Sequence, residues 1–141
     1  MIGARTGQHR DVSGRGGSCF YRAIAYQMCE LQGRRYNDVP EVAGLRERVR
    51  MYLFRHADAP VPADPQLKWC QLGSYTSGYA EAPVPQVTPY VLKHPVVVHL
   101  GQKLHAYGAE LPGAPLHVRL RGKHYTILYP AEDTIYTDDI Q

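Results

Sequence analysis

Residues Gly14-Arg15-Gly16-Gly17-Ser18-Cys19 run directly into an apolar-periodic segment that begins at Phe20. A cysteine at a helix N-terminus sits where unpaired backbone N–H groups and the helix dipole favour an anion, so its thiolate is stabilised. The same N–H groups can face the oxyanion of a tetrahedral intermediate, which nominates Gly16, Gly17 and Ser18 with the N–H of Cys19. Glycines just before a nucleophile let the backbone approach a substrate closely. A thiolate nucleophile also wants an imidazole within hydrogen-bond reach. Among seven histidines, His124 is the best placed, at the start of a strand that follows a tight turn. An isolated cysteine is more often a small buried residue than a nucleophile; the glycine loop, the helix start and the matched histidine together favour catalysis for Cys19. Cys29, inside the helix, and Cys70, beside Trp69, read as structural. The glycine loop lacks the Lys-Ser/Thr of a phosphate-binding loop. His94, His99, His105 and His117 lack ligand-like spacing, so no metal and no cofactor is expected.

These groups must be positioned by helices first and strands later. Phe20, Ile24, Gln27, Met28 and Leu31 mark one face of a helix, apolar except for Gln27, with Gly33 as the stop signal. Asp38-Val39-Pro40-Glu41 reads as a capping box. Val42, Leu45, Val49, Tyr52 and Leu53 then give the buried face of a second helix, with Arg46, Glu47, Arg48 and Arg50 towards water. A loop with three prolines spans 57–65. A short helix is expected within 67–72, a turn over 73–78, and another short helix within 86–92. Val96-Val97-Val98 with Leu100 reads as a buried strand. Residues 116–121 alternate as a half-buried strand should. Gly122-Lys123 fits a two-residue hairpin turn, and 124–129 returns as the partner strand. That order reads as α+β.

The chain has 141 residues, 44% of them hydrophobic and 21% charged, an ordinary balance for one globular domain. Residues 1–12 read as a flexible segment preceding a single domain over 13–141. A net charge of +3, with the basic residues scattered, gives no case for nucleic acid. Three cysteines without a Cys-x-x-Cys argue against a disulfide framework or structural zinc and suggest a reducing compartment. No apolar stretch approaches membrane-spanning length, and the N-terminus lacks a signal-peptide core. A soluble, cytoplasmic monomer is expected.

The run Gly16-Gly17-Ser18-Cys19-Phe20-Tyr21-Arg22-Ala23 resembles the nucleophile motif of the ovarian-tumour (OTU) cysteine proteases, usually Asp-Gly-Asn-Cys followed by an aromatic or apolar residue. His124-Tyr125 resembles the family's late His-aromatic motif. Leu45-Arg46-x-x-Val49-x-x-Tyr52-Leu53 is similar to a family helix. Ser77-Gly78-Tyr79-Ala80-Glu81 falls where the family often has Trp-Gly-x-x-Glu. The resemblance spans residues 14 to 130 in the right order. The chain departs from the pattern at Gly16, in place of Asp, and at Ser18, in place of Asn. The histidine is oriented in the family by Asn or Asp two residues on; here that position is Thr126. Asp11, Asp133 or Asp138 could supply the orienting group instead, or a bare Cys–His dyad could act.

The resemblance implies a papain-like fold, a helical part packed on a small mixed or antiparallel sheet. It implies cleavage of the isopeptide bond after the C-terminal Gly-Gly of ubiquitin or a ubiquitin-like modifier. Substrate contacts would then fall on Tyr75, Ser77, Gly78, Tyr79, Glu81 and Tyr125. The compact length is similar to that of viral OTU domains, which would place the protein in the host-cell cytoplasm. The alternatives are a polyprotein-processing cysteine protease, a papain-like acyltransferase, and a ubiquitin-binding module without activity.

Overall fold

The computed structural model describes residues 9–13, 17–72 and 83–129. It is a mixed α+β fold. Strand β1 (His9–Arg10) precedes helices α1 (Cys19–Gln32) and α2 (Asp38–Arg55). A small hairpin, β2 (Pro60–Val61) and β3 (Asp64–Lys68), leads through a 3-10 turn at Trp69–Leu72. Helix α3 (Val84–Leu92) follows, then β4 (Val96–Leu100), β5 (Lys103–Tyr107), β6 (Leu116–Arg121) and β7 (His124–Leu128).

The main sheet has the order β1-β7-β6-β4-β5. β4 and β6 run parallel; every other neighbouring pair is antiparallel. Helix α1 packs on β7 and β6, α3 on β4 and β5, and α2 lies against both helices. The core between them holds Phe20, Ile24, Leu45, Val49, Val96, Val98, Leu116, Val118, Tyr125 and Ile127. β6 is central, so Leu116, His117 and Val118 are all buried and the expected half-burial holds only further along the strand.

Gln27, the polar exception on the apolar face of α1, fixes the helix against the sheet. Its Nε2 donates to the His117 carbonyl at 3.0 Å, and its Oε1 accepts from the His117 N–H at 3.2 Å. The β6–β7 ladder starts only at Val118↔Ile127, so the amide supplies partners that the strand lacks there. Buried backbone groups without partners are costly, and this clamp therefore sets where α1, and the cysteine at its tip, lies over β7.

Several local expectations yield to longer-range partners. The residue before α2 is Asn37, which makes no side-chain cap bond, and Asp38 is already helical. The Asp38 carboxylate accepts instead from Tyr36 Oη at 2.6 Å and Arg22 Nε at 2.9 Å, and Glu41 takes Arg34 at 2.8 Å. The helix expected within 67–72 is strand through Lys68 and a 3-10 turn only after it. Strand β5 gives no sequence signal: its residues are largely exposed, and it forms because β4 offers five consecutive backbone partners. His9 and Arg10, within the segment expected to be flexible, pair with β7.

Candidate active site

Cys19 is the first residue of α1. Gly17, at φ +70°, turns the chain into the helix through a backbone region that side-chain-bearing residues avoid. Ser18 precedes the helix, but its hydroxyl does not cap it. Ser18 Oγ accepts instead from Arg46 at 2.6 Å, and that guanidinium lies 4.4 Å from the centroid of the Tyr21 ring. Arg46, expected to face water, thus stands beside the residue next to the thiol.

The sulfur meets β7 on both sides of His124. The Tyr125 N–H donates to Sγ at 3.4 Å, and the thiol donates to the Lys123 carbonyl at 3.8 Å. Cys19 is only 4% exposed. Among the described residues, no hydrogen bond joins Sγ to the His124 ring. The structure thus brings the thiol to the two residues flanking His124, while the ring has a different partner.

That partner is Asp11. His124 Nε2 lies 2.6 Å from Asp11 Oδ1. An ionised carboxylate only accepts, so Nε2 carries the proton and, in the neutral ring, Nδ1 is the basic nitrogen. Both groups are open to water, with side chains 41% and 74% exposed. The pair contributes little to stability and acts chiefly on ring orientation. The residues on either side of Asp11 are anchored. Residues 9 and 10 pair with β7, and Arg10 donates to Tyr26 Oη at 2.6 Å while stacking 4.2 Å from that ring's centroid. Arg22 donates to the Ser13 carbonyl at 2.6 Å. A cleft of about 500 Å³ opens along this side of α1, with Asp11, Arg22, Tyr26 and Asp38 in its walls.

Thr126 does not orient the histidine. It is buried, and its Oγ1 has no hydrogen-bond partner among the described residues. The carboxylate from β1's end takes the role expected of the strand's own next-but-one residue. Tyr125 does not offer its side chain to a ligand either. The ring is 7% exposed and packs edge-on to Phe20 with centroids 5.0 Å apart. Burial, with Tyr107 and Cys19 nearby, pushes its hydroxyl up to about 12. The part of Tyr125 that reaches the site is its backbone N–H. Gly16, Tyr75, Ser77, Gly78, Tyr79, Glu81, Asp133 and Asp138 lie outside the described residues.

Asp11 stood in the sequence as one of three candidate acids, with nothing to single it out, because β1–β7 pairing joins residues more than a hundred positions apart. The same holds for a buried pair on neighbouring strands, His99 Nε2 and His117 Nδ1 at 2.8 Å. Its hydrogen bond needs one ring to donate and the other to accept. Among the described residues, no group of three or more His, Cys, Asp or Glu is placed to hold a metal. No helix among them is long and apolar enough to cross a membrane. No protein-family model matches the chain, and no curated protein shows significant similarity to it.

Proposed function

We propose that this chain is a papain-like thiol hydrolase of the OTU type, acting on the bond after the C-terminal Gly-Gly of ubiquitin or a ubiquitin-like modifier. The observation that carries the reading is the 2.6 Å contact of Asp11 with His124 Nε2, at the strand whose flanking backbone touches Cys19 Sγ. Nucleophile at a helix tip, base on a strand and carboxylate behind the base is an arrangement suited to acyl transfer through a thioester. The substrate class rests on the motif resemblance.

In this mechanism the thiol proton, directed at the Lys123 carbonyl in the resting site, passes to His124 Nδ1. The thiolate attacks the carbonyl carbon after the second glycine. The N–H groups at the start of α1 and in the preceding loop stabilise the oxyanion. The C–N bond breaks as the imidazolium protonates the leaving amine, giving a thioester on Cys19. His124 then takes a proton from water, hydroxide attacks the thioester, and the carboxylate product leaves with the thiol restored. Asp11 keeps Nε2 protonated and the ring in place throughout.

One observation favours a second reading, a ubiquitin-binding module without turnover: Cys19 is 4% exposed. Ubiquitin carrying a C-terminal electrophile separates the two. A covalent adduct that is lost in Cys19→Ala supports the hydrolase. Saturable binding without an adduct supports the module. Neither binding nor adduct removes ubiquitin from the reading.

A further inference from the structure

We propose that Arg22 is a positioning residue for the Asp11–His124 pair: it holds the segment that carries Asp11, so that the carboxylate stays on His124 Nε2. Its effect on rate rests on the hydrolase reading, but the bond it protects exists with or without turnover. Asp11 needs such a hold. Its side chain is 74% exposed, so packing does not fix it. Oδ1 accepts from the Val12 N–H at 2.9 Å and meets His124 Nε2 at 2.6 Å. The carboxylate is therefore only as steady as the backbone on either side of it.

A closed ring of contacts runs from one side of Asp11 to the other. Arg10, just before it, donates to Tyr26 Oη and stacks on that ring. The Tyr26 and Tyr36 rings meet with centroids 5.2 Å apart. Tyr36 Oη donates to Asp38 Oδ1 at 2.6 Å, and Arg22 Nε donates to the same oxygen at 2.9 Å. Arg22 Nη1 closes the ring on the Ser13 carbonyl at 2.6 Å, just past Val12. The Tyr36 hydroxyl, and then Arg22, hold the Asp38 carboxyl below its usual range, so this anchor is charged at neutral pH. Arg22 thus joins three parts: it lies on α1 about one turn after Cys19, takes Asp38 at the start of α2, and grips the segment leading from β1. Tying α1 to α2 needs only the bond to Asp38. The bond to Ser13 adds nothing to that packing and fixes the stretch that presents Asp11. A guanidinium makes both bonds at once because its N–H groups form a planar fork, whereas an ammonium is a single point charge. The Arg22 side chain is 14% exposed, which shields its bonds from competing water.

Nitrogen NMR of the full chain labelled in its histidine rings, with His124 assigned from its loss in His124→Gln, reads the Asp11–His124 bond without turnover. Asp11→Ala shifts the His124 ring nitrogens. Arg22→Ala gives at least about half of that shift, and adds nothing to it in the Asp11→Ala background. In parallel, kcat for a fluorogenic ubiquitin C-terminal amide falls about 5- to 20-fold in Arg22→Ala with KM within about twofold, and Arg22→Lys recovers part of the loss. The Asp11→Ala, Arg22→Ala double variant cleaves within about twofold of Asp11→Ala alone. If Arg22→Ala fails to fold, Arg22→Lys, which keeps the charge and loses the fork, carries both readouts with the same signs. His124 signals left at their wild-type positions by the Arg22 variants overturn the proposal. Losses that multiply in the double variant also overturn it, since Arg22 would then act on the fold and not through Asp11. Coupled NMR shifts in a chain that does not cleave ubiquitin sink the hydrolase reading and leave the positioning role standing.

Discussion

The two edges of the sheet follow opposite plans. At one edge β1 contributes only two residues, paired as His9↔Leu128 and Arg10↔Ile127, so among the described residues the first half of β7 has no strand partner on that side. The Tyr125 N–H is left over and meets a sulfur. The Asp11 and His124 side chains there are polar and open to water, while Cys19 is buried. At the other edge β4 and β5 pair over their full five residues. The neighbouring side chains are aromatic and largely buried, and burial raises the hydroxyls of Tyr90 and Tyr107 above their ordinary range, Glu110 adding to the shift at Tyr90. Reacting groups need backbone donors that the ladder has not used.

The sharpest way to break this comparison lies at the short edge. On the proposed hydrolase reading, His124→Ala lowers the rate of ubiquitin-conjugate cleavage by about 10³-fold or more, since it removes the proposed base. Asp11→Ala costs about 10- to 100-fold, less than a buried carboxylate would, because water reaches the pair. Asp11→Asn recovers part of that loss, as its amide oxygen still accepts from Nε2–H. Equal rates for Asp11→Ala and the wild type would remove Asp11 from the site.

The long edge is tested by stability. Gly108, directly after β5, has φ +67°, and a Cβ there would lie 2.5 Å from Pro89 Cβ and 2.8 Å from Leu111 Cδ1. Gly108→Ala therefore lowers unfolding free energy by about 2–4 kcal/mol in a urea titration, from overpacking and left-handed strain together. A change below measurement error would show that this corner is loosely packed.

An alkaline effect of similar or smaller size belongs to Tyr125. Its hydroxyl has the ordinary tyrosine value near 10.0 when unfolded, and burial holds it at about 12 when folded. The folded state therefore holds its proton to higher pH. The stabilisation is complete below pH 10 and is lost as pH rises from 10 to 12, by about 3 kcal/mol at most. Melting temperatures of the wild type and Tyr125→Phe across that range isolate the contribution; parallel curves would contradict it. The smallest effect is expected at Thr126. Removing its unpartnered hydroxyl by Thr126→Val leaves activity within about twofold and stability unchanged or raised by up to ~1 kcal/mol. A large loss of activity would return the orienting role to Thr126.

Much of the fold was legible wherever local pattern and burial agree. The α1 stripe from Phe20 to Gln27, the run Val96–Val98 and the Gly122–Lys123 turn all read correctly, because each carries its own periodicity or turn chemistry, whereas Leu31, expected on the same stripe, is 53% exposed near the helix end. The first strand and β5 did not read at all. His9–Arg10 is too short to show a period. Lys103–Tyr107 is exposed and takes its conformation from β4.

By itself the sequence determined the residue types with reactive potential, the helix that presents Cys19 and the strand that begins at His124, since these depend on neighbours within a turn or a hairpin. Tertiary structure alone decided that Asp11 rather than Thr126 holds the ring, that Tyr125 offers its backbone rather than its side chain, and that Gln27 anchors α1 over β7. Each of those outcomes turns on which distant hydrogen-bond partner wins a donor or acceptor, and chain order carries no record of that competition.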